Sequence, residues 1–329
     1  MAQKPLDMGY DVNINYELND RALFSVEEAI DIADELKIDV HELINGARVL
    51  DFGVKARGGL DAGIMLGSIC MSNLGDVFIS HREIGDITCP HVNVSSDHPV
   101  AACLLSQYAG WSINVDQYFA MGSGPMRAAA VVEPLFDKLK FREKANTVVG
   151  VLESHQLPTE KVARFIAEKT NVEPDDVVLA VAPASSLAGS IQVVARSVET
   201  AMHQLLELGF DLDHIESAVG TAPLPPIAAD PLTGIGWTND AILYGARVNL
   251  WVSCEDTVLE EIGPKVPANS SEKFGQPFMM LFEEAGRDFY KLDPSLFSPA
   301  VVTFHNLSTG KTFQFGEVRP DILKQSFGW

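Results

Sequence analysis

The chain has 329 residues, 47% of them hydrophobic, which is enough for more than one packed core and excludes a disordered protein. Its formal charge of −21 disfavours a nucleic-acid or anionic-membrane surface as its main partner, since both want stripes of Lys and Arg. Cys70, Cys89, Cys103 and Cys254 are widely spaced and form no C-x-x-C, so they read as reduced, mostly buried thiols of a cytoplasmic protein.

Residues 1–24 read as a polar N-terminal arm. Ser25 followed three residues later by Glu28 has the form of a capping box, and an amphipathic pattern predicts a helix from there to about Ile44, with a break near Lys37–Asp39. Ala47–Gly53 predicts a strand, Leu60–Leu74 a helix of small residues, and Val77–Ser80 and Val92–Ser95 strands. Asp97-His98-Pro99 opens a helix toward Tyr108. A glycine turn, Gly122-Ser123-Gly124, feeds a helix reaching to about Leu139. Then come a strand (Thr147–Leu152), a helix (Thr159–Thr170), a strand (Val177–Ala182) and a long helix from about Ala188 to Leu208. A Pro-rich loop (Ala222–Pro231), a strand (Ala246–Ser253) and helices near 255–262 and 276–286 follow. Val301–Leu307 and Thr312–Val318 form a hairpin around Ser308-Thr-Gly-Lys311. Strands alternate with helices at irregular spacing, which favours a mixed α/β chain of two lobes over a regular doubly wound Rossmann sheet. The glycine turn suggests a division into 25–125 and 126–329, with segments free to exchange between lobes.

The pair Arg196 and Glu199 lies on the long helix after a run without charge, Val177–Ala195. Residues three apart share a helix face, so the two heads can meet where burial is expected. A structural ion pair is the commonest role of such a spacing; a general base whose proton affinity is set by an arginine is the chemical alternative. Gly122, Ser123 and Gly124 could present amides to an anion, although no dinucleotide fingerprint is completed. Asn239, Asp240 and Tyr244 offer an amide, a carboxylate and a phenol to a polar heterocycle, or equally cap a loop before a core strand. His81-Arg-Glu83 lacks the Pro-Cys-x-x-Cys half of a zinc deaminase, and the remaining histidines show no metal-ligand spacing, so no metal is expected.

Several words in order resemble the methenyltetrahydromethanopterin cyclohydrolase family. They are Ser106-Gln-Tyr-Ala-Gly-Trp111, Phe119-Ala-Met-Gly-Ser-Gly-Pro125, Ser186-Leu-Ala-Gly-Ser-Ile-Gln-Val-Val-Ala-Arg196, Thr238-Asn-Asp-Ala-Ile-Leu-Tyr-Gly245, Asp288-Phe-Tyr-Lys-Leu-Asp293 and Leu296-Phe-Ser-Pro-Ala300. The likeness runs from about residue 45 to the C-terminus, leaves residues 1–24 outside, and is closer to the bacterial branch. It implies a two-domain mixed α/β subunit with a pterin cleft between the domains, assembled as a homotrimer. It also implies hydrolysis of 5,10-methenyl-tetrahydromethanopterin to the 5-formyl compound, without metal or redox cofactor. The family's catalytic Arg and Glu fall on Arg196 and Glu199, while Ser186, Gln192, Asn239, Asp240 and the glycine turn become pterin contacts. A non-catalytic pterin-binding protein, a structural oligomer and a folate-type cyclohydrolase remain the alternatives.

Overall fold

The computed structural model describes residues 16–287 and 291–329; most of the predicted arm and Asp288, Phe289 and Tyr290 of the C-terminal words lie outside it. The first helix, α1 (Leu18–Asp31), begins well upstream of Ser25, which is a buried residue in its middle and not its cap. Leu18, Ala22, Val26 and Ala29 explain this, because their spacing of three and four makes one apolar stripe that starts before the capping signal. A short α2 (Ala33–Leu36) follows, and the predicted continuation to Ile44 is instead a strand, β1 (Asp39–Glu42), paired antiparallel with β2 (Arg48–Asp51).

Next come α3 (Leu60–Cys70), β3 (Asp76–Ile84) and β4 (Ile87–Ser96). The predicted Asp97-His98-Pro99 helix is a wide π-helix, Val100–Gln107, leading to β5 (Trp111–Val115) and β6 (Tyr118–Ser123). Gly124, at φ +84°, turns the chain into α4 (Met126–Ala130), and α5 (Pro134–Leu139) completes what the sequence suggests as one helix. Then β7 (Val148–Glu153), α6 (Glu160–Thr170) and β8 (Val177–Ala182) lie where predicted. The long helix is two: α7 (Leu187–Val194) and α8 (Ser197–Glu207), jointed at Ala195 and Arg196. β9 (Ile215–Pro223) precedes α9 (Pro231–Asp240), a second π-helix (Ala241–Gly245), β10 (Arg247–Val252), α10 (Asp256–Ile262) and α11 (Phe278–Glu284). The predicted hairpin is β11 (Val301–Asn306) with β12 (Thr312–Gly316), and α12 (Pro320–Phe327) closes the chain.

Two six-stranded mixed sheets result, ordered β1-β2-β8-β7-β6-β5 and β12-β11-β10-β9-β4-β3. The first runs parallel at β2/β8 and β8/β7 and antiparallel elsewhere. Its two faces bury alternate residues: Val49, Val148 and Leu179 pack with Val162 and Ile166 of α6, while Leu50, Val149 and Val178 pack with Val26 of α1 and Leu66 of α3. The second sheet buries Val94, Ala218, Val248, Leu250 and Phe304 in one large core with Val198, Met202 and Leu205 of α8. Each sheet draws strands from separated stretches of chain, and β6 and β7, on either side of residue 125, are hydrogen-bonded neighbours. No helix among the described residues is long and apolar enough to cross a membrane.

Candidate active site

Arg196 stands at the joint between α7 and α8, with φ −85° and ψ 9°, outside regular helix. Its amide donates to the Val193 carbonyl and its own carbonyl accepts from Thr200, so the chain tightens for one turn before α8 begins. The joint lets the side chain leave the axis of α8 and reach three other elements. Nη1 donates to the Gln107 carbonyl at 2.5 Å, at the end of the first π-helix. Nη2 donates to Ser123 Oγ at 3.1 Å, on β6, and lies 3.8 Å from Cys70 Sγ, at the end of α3. Arg196 is only 7% exposed, so each of these acceptors replaces water it has lost.

Glu199 lies in the first turn of α8 and is 4% exposed. Its Oε2 is 3.8 Å from Arg196 Nη1, the outer limit of an ion pair. Burial pushes its carboxyl up to about 7, while Arg196 and Arg127 pull it down and Glu133 pushes it further up. A carboxyl poised there gains and loses a proton near neutral pH, as a general base must. Glu153, at the end of β7, also feels Arg196: burial raises its pKa and the guanidinium opposes that rise.

Of the residues picked from the sequence, Arg196, Glu199, Ser123 and Gln192 come together here. Gln192 Nε2 reaches Cys70 Sγ at 3.3 Å, the same sulfur that faces Arg196, and Ser123 Oγ lies 3.3 Å from it. Gly122 and Gly124 flank Ser123, although α4 behind them is a single short turn. Ser186 is half-buried and occupied in the backbone: its Oγ caps α7 by accepting from the Gly189 amide at 3.0 Å and donates to the Pro183 carbonyl at 2.9 Å.

Asn239 Nδ2, both Asp240 oxygens and Tyr244 Oη bond to groups outside the Arg196–Glu199 cluster. Asn239 Nδ2 bonds back to the Ile235 carbonyl at 2.8 Å within α9. Asp240 accepts from the Phe278 amide at 2.8 Å and from Ser326 Oγ at 2.5 Å, and burial raises its pKa to about 7. Tyr244 Oη donates to the Gln276 carbonyl at 2.5 Å, and burial raises its phenol to about 12.

The sequence attaches no site role to Cys70, Gln107, Tyr108 or Glu153. Cys70 looks there like a small hydrophobe, yet its sulfur faces three polar side chains. Tyr108 stacks on His203 of α8, with centroids 4.5 Å apart and planes at 12°. Burial pushes the Tyr108 phenol above its usual range and lowers the His203 imidazole. Gln107 and Tyr108 do belong to a quoted word, so the signal was present without a role attached.

Asp39, His41 and Asp51 place ligand-type atoms within 4.8 Å of one another, a spacing that could hold a cation. Both Asp51 oxygens, however, already accept four backbone N–H groups from Gly53 to Ala56, which accounts for that carboxylate as the anchor of a turn. A surface cavity of about 680 Å³ is lined by Asp76, Asp97, Glu216 and Trp251; neither Arg196 nor Glu199 lines it, and it is a separate feature.

The chain matches the family model described as Cyclohydrolase (MCH) over residues 17–327. It is 48% identical over 290 residues to a methenyltetrahydromethanopterin cyclohydrolase of Rhodopirellula baltica, covering 87% of each chain. It is 41% identical over 314 residues to the enzyme of that name in Methanosarcina mazei, covering 94% of this chain and 98% of that one. With the one in Methylobacillus flagellatus the identity is 39% over 333 residues, covering 100% and 99%.

Proposed function

The chain belongs to the cyclohydrolase (MCH) family, and we propose that it hydrolyses 5,10-methenyl-tetrahydromethanopterin to the 5-formyl compound, with Glu199 moving the protons and Arg196 orienting it. The substrate carbon bridges two nitrogens in an amidinium-like cation and is already electrophilic. What a protein must add is a positioned water and a group that takes a proton from it and later gives one to the departing amine.

Glu199 suits both tasks because its carboxyl, held near 7, is neither a permanent anion nor a permanent acid. In the first step one water proton passes to Glu199 while the water oxygen bonds to the methenyl carbon. In the second the carbon–N10 bond breaks, N10 takes the proton from Glu199, and the adduct's hydroxyl proton leaves to solvent as the formyl C=O forms. The balance is one cation and one water giving a neutral formyl amide and one released proton. Arg196 is held from three sides, by Gln107, Ser123 and Cys70, so it presents a fixed positive edge beside Glu199. That edge favours the carboxylate before attack and keeps it in one place.

The single observation that carries this reading is a buried, elevated carboxyl standing beside an arginine whose direction is fixed by other residues. Purified protein incubated with the methenyl compound tests it, read as loss of the methenyl chromophore, with methanopterin and folate forms side by side. Turnover of the methanopterin form is the predicted result; turnover of the folate form alone, or of neither, would overturn it.

A further inference from the structure

Arg127, in α4, is 0% exposed, and Glu133 is 7% exposed. Nε and Nη2 of the Arg127 guanidinium donate to the two Glu133 oxygens at 2.7 and 2.6 Å. Its Nη1 donates to the carbonyls of Leu104 at 3.2 Å and Ser106 at 2.9 Å. These carbonyls belong to the last turn of the first π-helix, and the next carbonyl, that of Gln107, is the one that Arg196 grips. Gln107 is itself fully buried, and its Nε2 returns to the Ala195 carbonyl at 3.2 Å, at the α7–α8 joint. Tyr108 extends the chain of contacts: the Arg127 guanidinium carbon lies 5.2 Å from its ring centroid, and its ring stacks on His203, one turn past Glu199. Two buried arginines therefore hold one helix end, and one of them is the partner of Glu199.

Burying an Arg–Glu pair costs desolvation, and an apolar pair of similar volume often stabilises a fold as well. An apolar pair could not hold the carbonyls of Leu104 and Ser106. We propose that Arg127 and Glu133 are positioning residues for the Arg196–Glu199 pair: they fix the helix end whose Gln107 carbonyl anchors Arg196. Their charges also bear on Glu199, which Arg127 pulls down and Glu133 pushes up. This rests on the reading of Glu199 as the base. The charged and titratable groups around Glu199 are Arg196 at the joint, Arg127 on α4, Glu133 after it, and the Cys103 thiol and Tyr108 phenol of the π-helix segment. Glu153 faces Arg196 from β7.

The test is a direct titration of the Glu199 carboxyl by isotope-edited spectroscopy of the Glu-labelled protein, the signal assigned by its loss in Glu199→Gln. Removing the positive member with Arg127→Met raises the Glu199 pKa, and removing the negative one with Glu133→Gln lowers it, each by about one unit. A merely structural pair would act differently: its loss admits water, which lowers the Glu199 pKa in both variants. Shifts of the same sign, or none, overturn the electrostatic part.

Arg127→Lys keeps the charge but not the fork. It leaves the Glu199 titration near wild type and lowers kcat roughly ten-fold, the equivalent of one charged hydrogen bond, at unchanged KM. Wild-type kcat in that variant overturns the positioning part. Should Arg127→Met fail to fold, Glu133→Gln and Arg127→Lys still decide both. The titration needs no substrate, so it is read even if the protein turns over no methenyl pterin, a result that would overturn the proposed reaction and not the coupling.

Discussion

Arg196 Nη1 lies closer to the carbonyl of Gln107, at 2.5 Å, than to the carboxylate of Glu199, at 3.8 Å. The arginine is thus anchored by the protein's backbone and not by the acid beside it. A tight, bidentate bridge would hold Glu199 permanently ionised, whereas the long contact leaves its carboxyl near 7.

Glu199→Gln removes the proposed proton carrier while keeping the shape. Its kcat falls by about a hundred- to ten-thousand-fold, and KM changes by no more than a few-fold. Thermal melting checks the fold: the midpoint at pH 8 stays at or above wild type, because the variant no longer buries a carboxylate there.

The pH dependence has a definite sign. On the proposed mechanism Glu199 must be ionised to accept the water proton, so kcat/KM of the free enzyme rises with pH and levels off above about 7, with the slope of a single proton. Glu199→Gln loses that limb, and a rate profile flat between pH 5 and 8 in the wild type would contradict the assignment.

Ser123→Ala deletes an acceptor of Arg196 at 3.1 Å without touching Glu199. A hydrogen bond to a charged group is worth about 1.5–3 kcal/mol, so kcat falls roughly ten- to a hundred-fold if Arg196 loses its direction. Steady-state kinetics on the folded variant decide it.

Asp240 tests the opposite expectation, a structural carboxyl. Its pKa is raised from 3.8 to about 7 by burial, so the stability that goes with its protonated form is complete below about 3.8 and is lost as pH rises through about 7. Asp240→Asn keeps the acceptor for the Phe278 amide and removes the ionisation. Its melting temperature therefore falls less between pH 5 and 8 than that of the wild type, with KM unchanged.

Gly110→Ala probes the packing over the site's outer layer. A Cβ there would stand 2.0 Å from Glu133 Oε2 and 2.5 Å from the Tyr108 ring. Overpacking of this kind costs about 1–3 kcal/mol, seen as a lower melting temperature.

Much of this was legible in the sequence. Val177–Ala182 is a strand end to end because an unbroken apolar run fits a strand buried on both faces. The Arg-x-x-Glu spacing and the glycine turn also meet in space, through Ser123. What the sequence concealed has physical reasons. No Gly or Pro marks the joint at Arg196, because the break is made by tertiary contacts that draw the guanidinium aside. β9 carries the small residues Ala218, Gly220 and Ala222 on the side packed against α8, so the alternation of large apolar and polar residues that marks a half-buried strand is missing there, although Val219 and Thr221 are β-branched. Cys70 reads as a hydrophobe by residue type, and only the fold brings Gln192, Ser123 and Arg196 to its sulfur. Asp240 reads in the sequence equally as an acid facing a heterocycle or as a loop cap, and its bonds from Phe278 and Ser326 are not legible there because both lie far along the chain.

The most direct measurement of the central claim is a single-turnover reaction of the methenyl-tetrahydromethanopterin cation with excess enzyme, wild type against Glu199→Gln. The account predicts rapid loss of the methenyl chromophore with formation of the 5-formyl product in the wild type, and a chemical step at least about a hundred-fold slower in the folded variant. A variant that binds and converts the cation at the wild-type rate would contradict it.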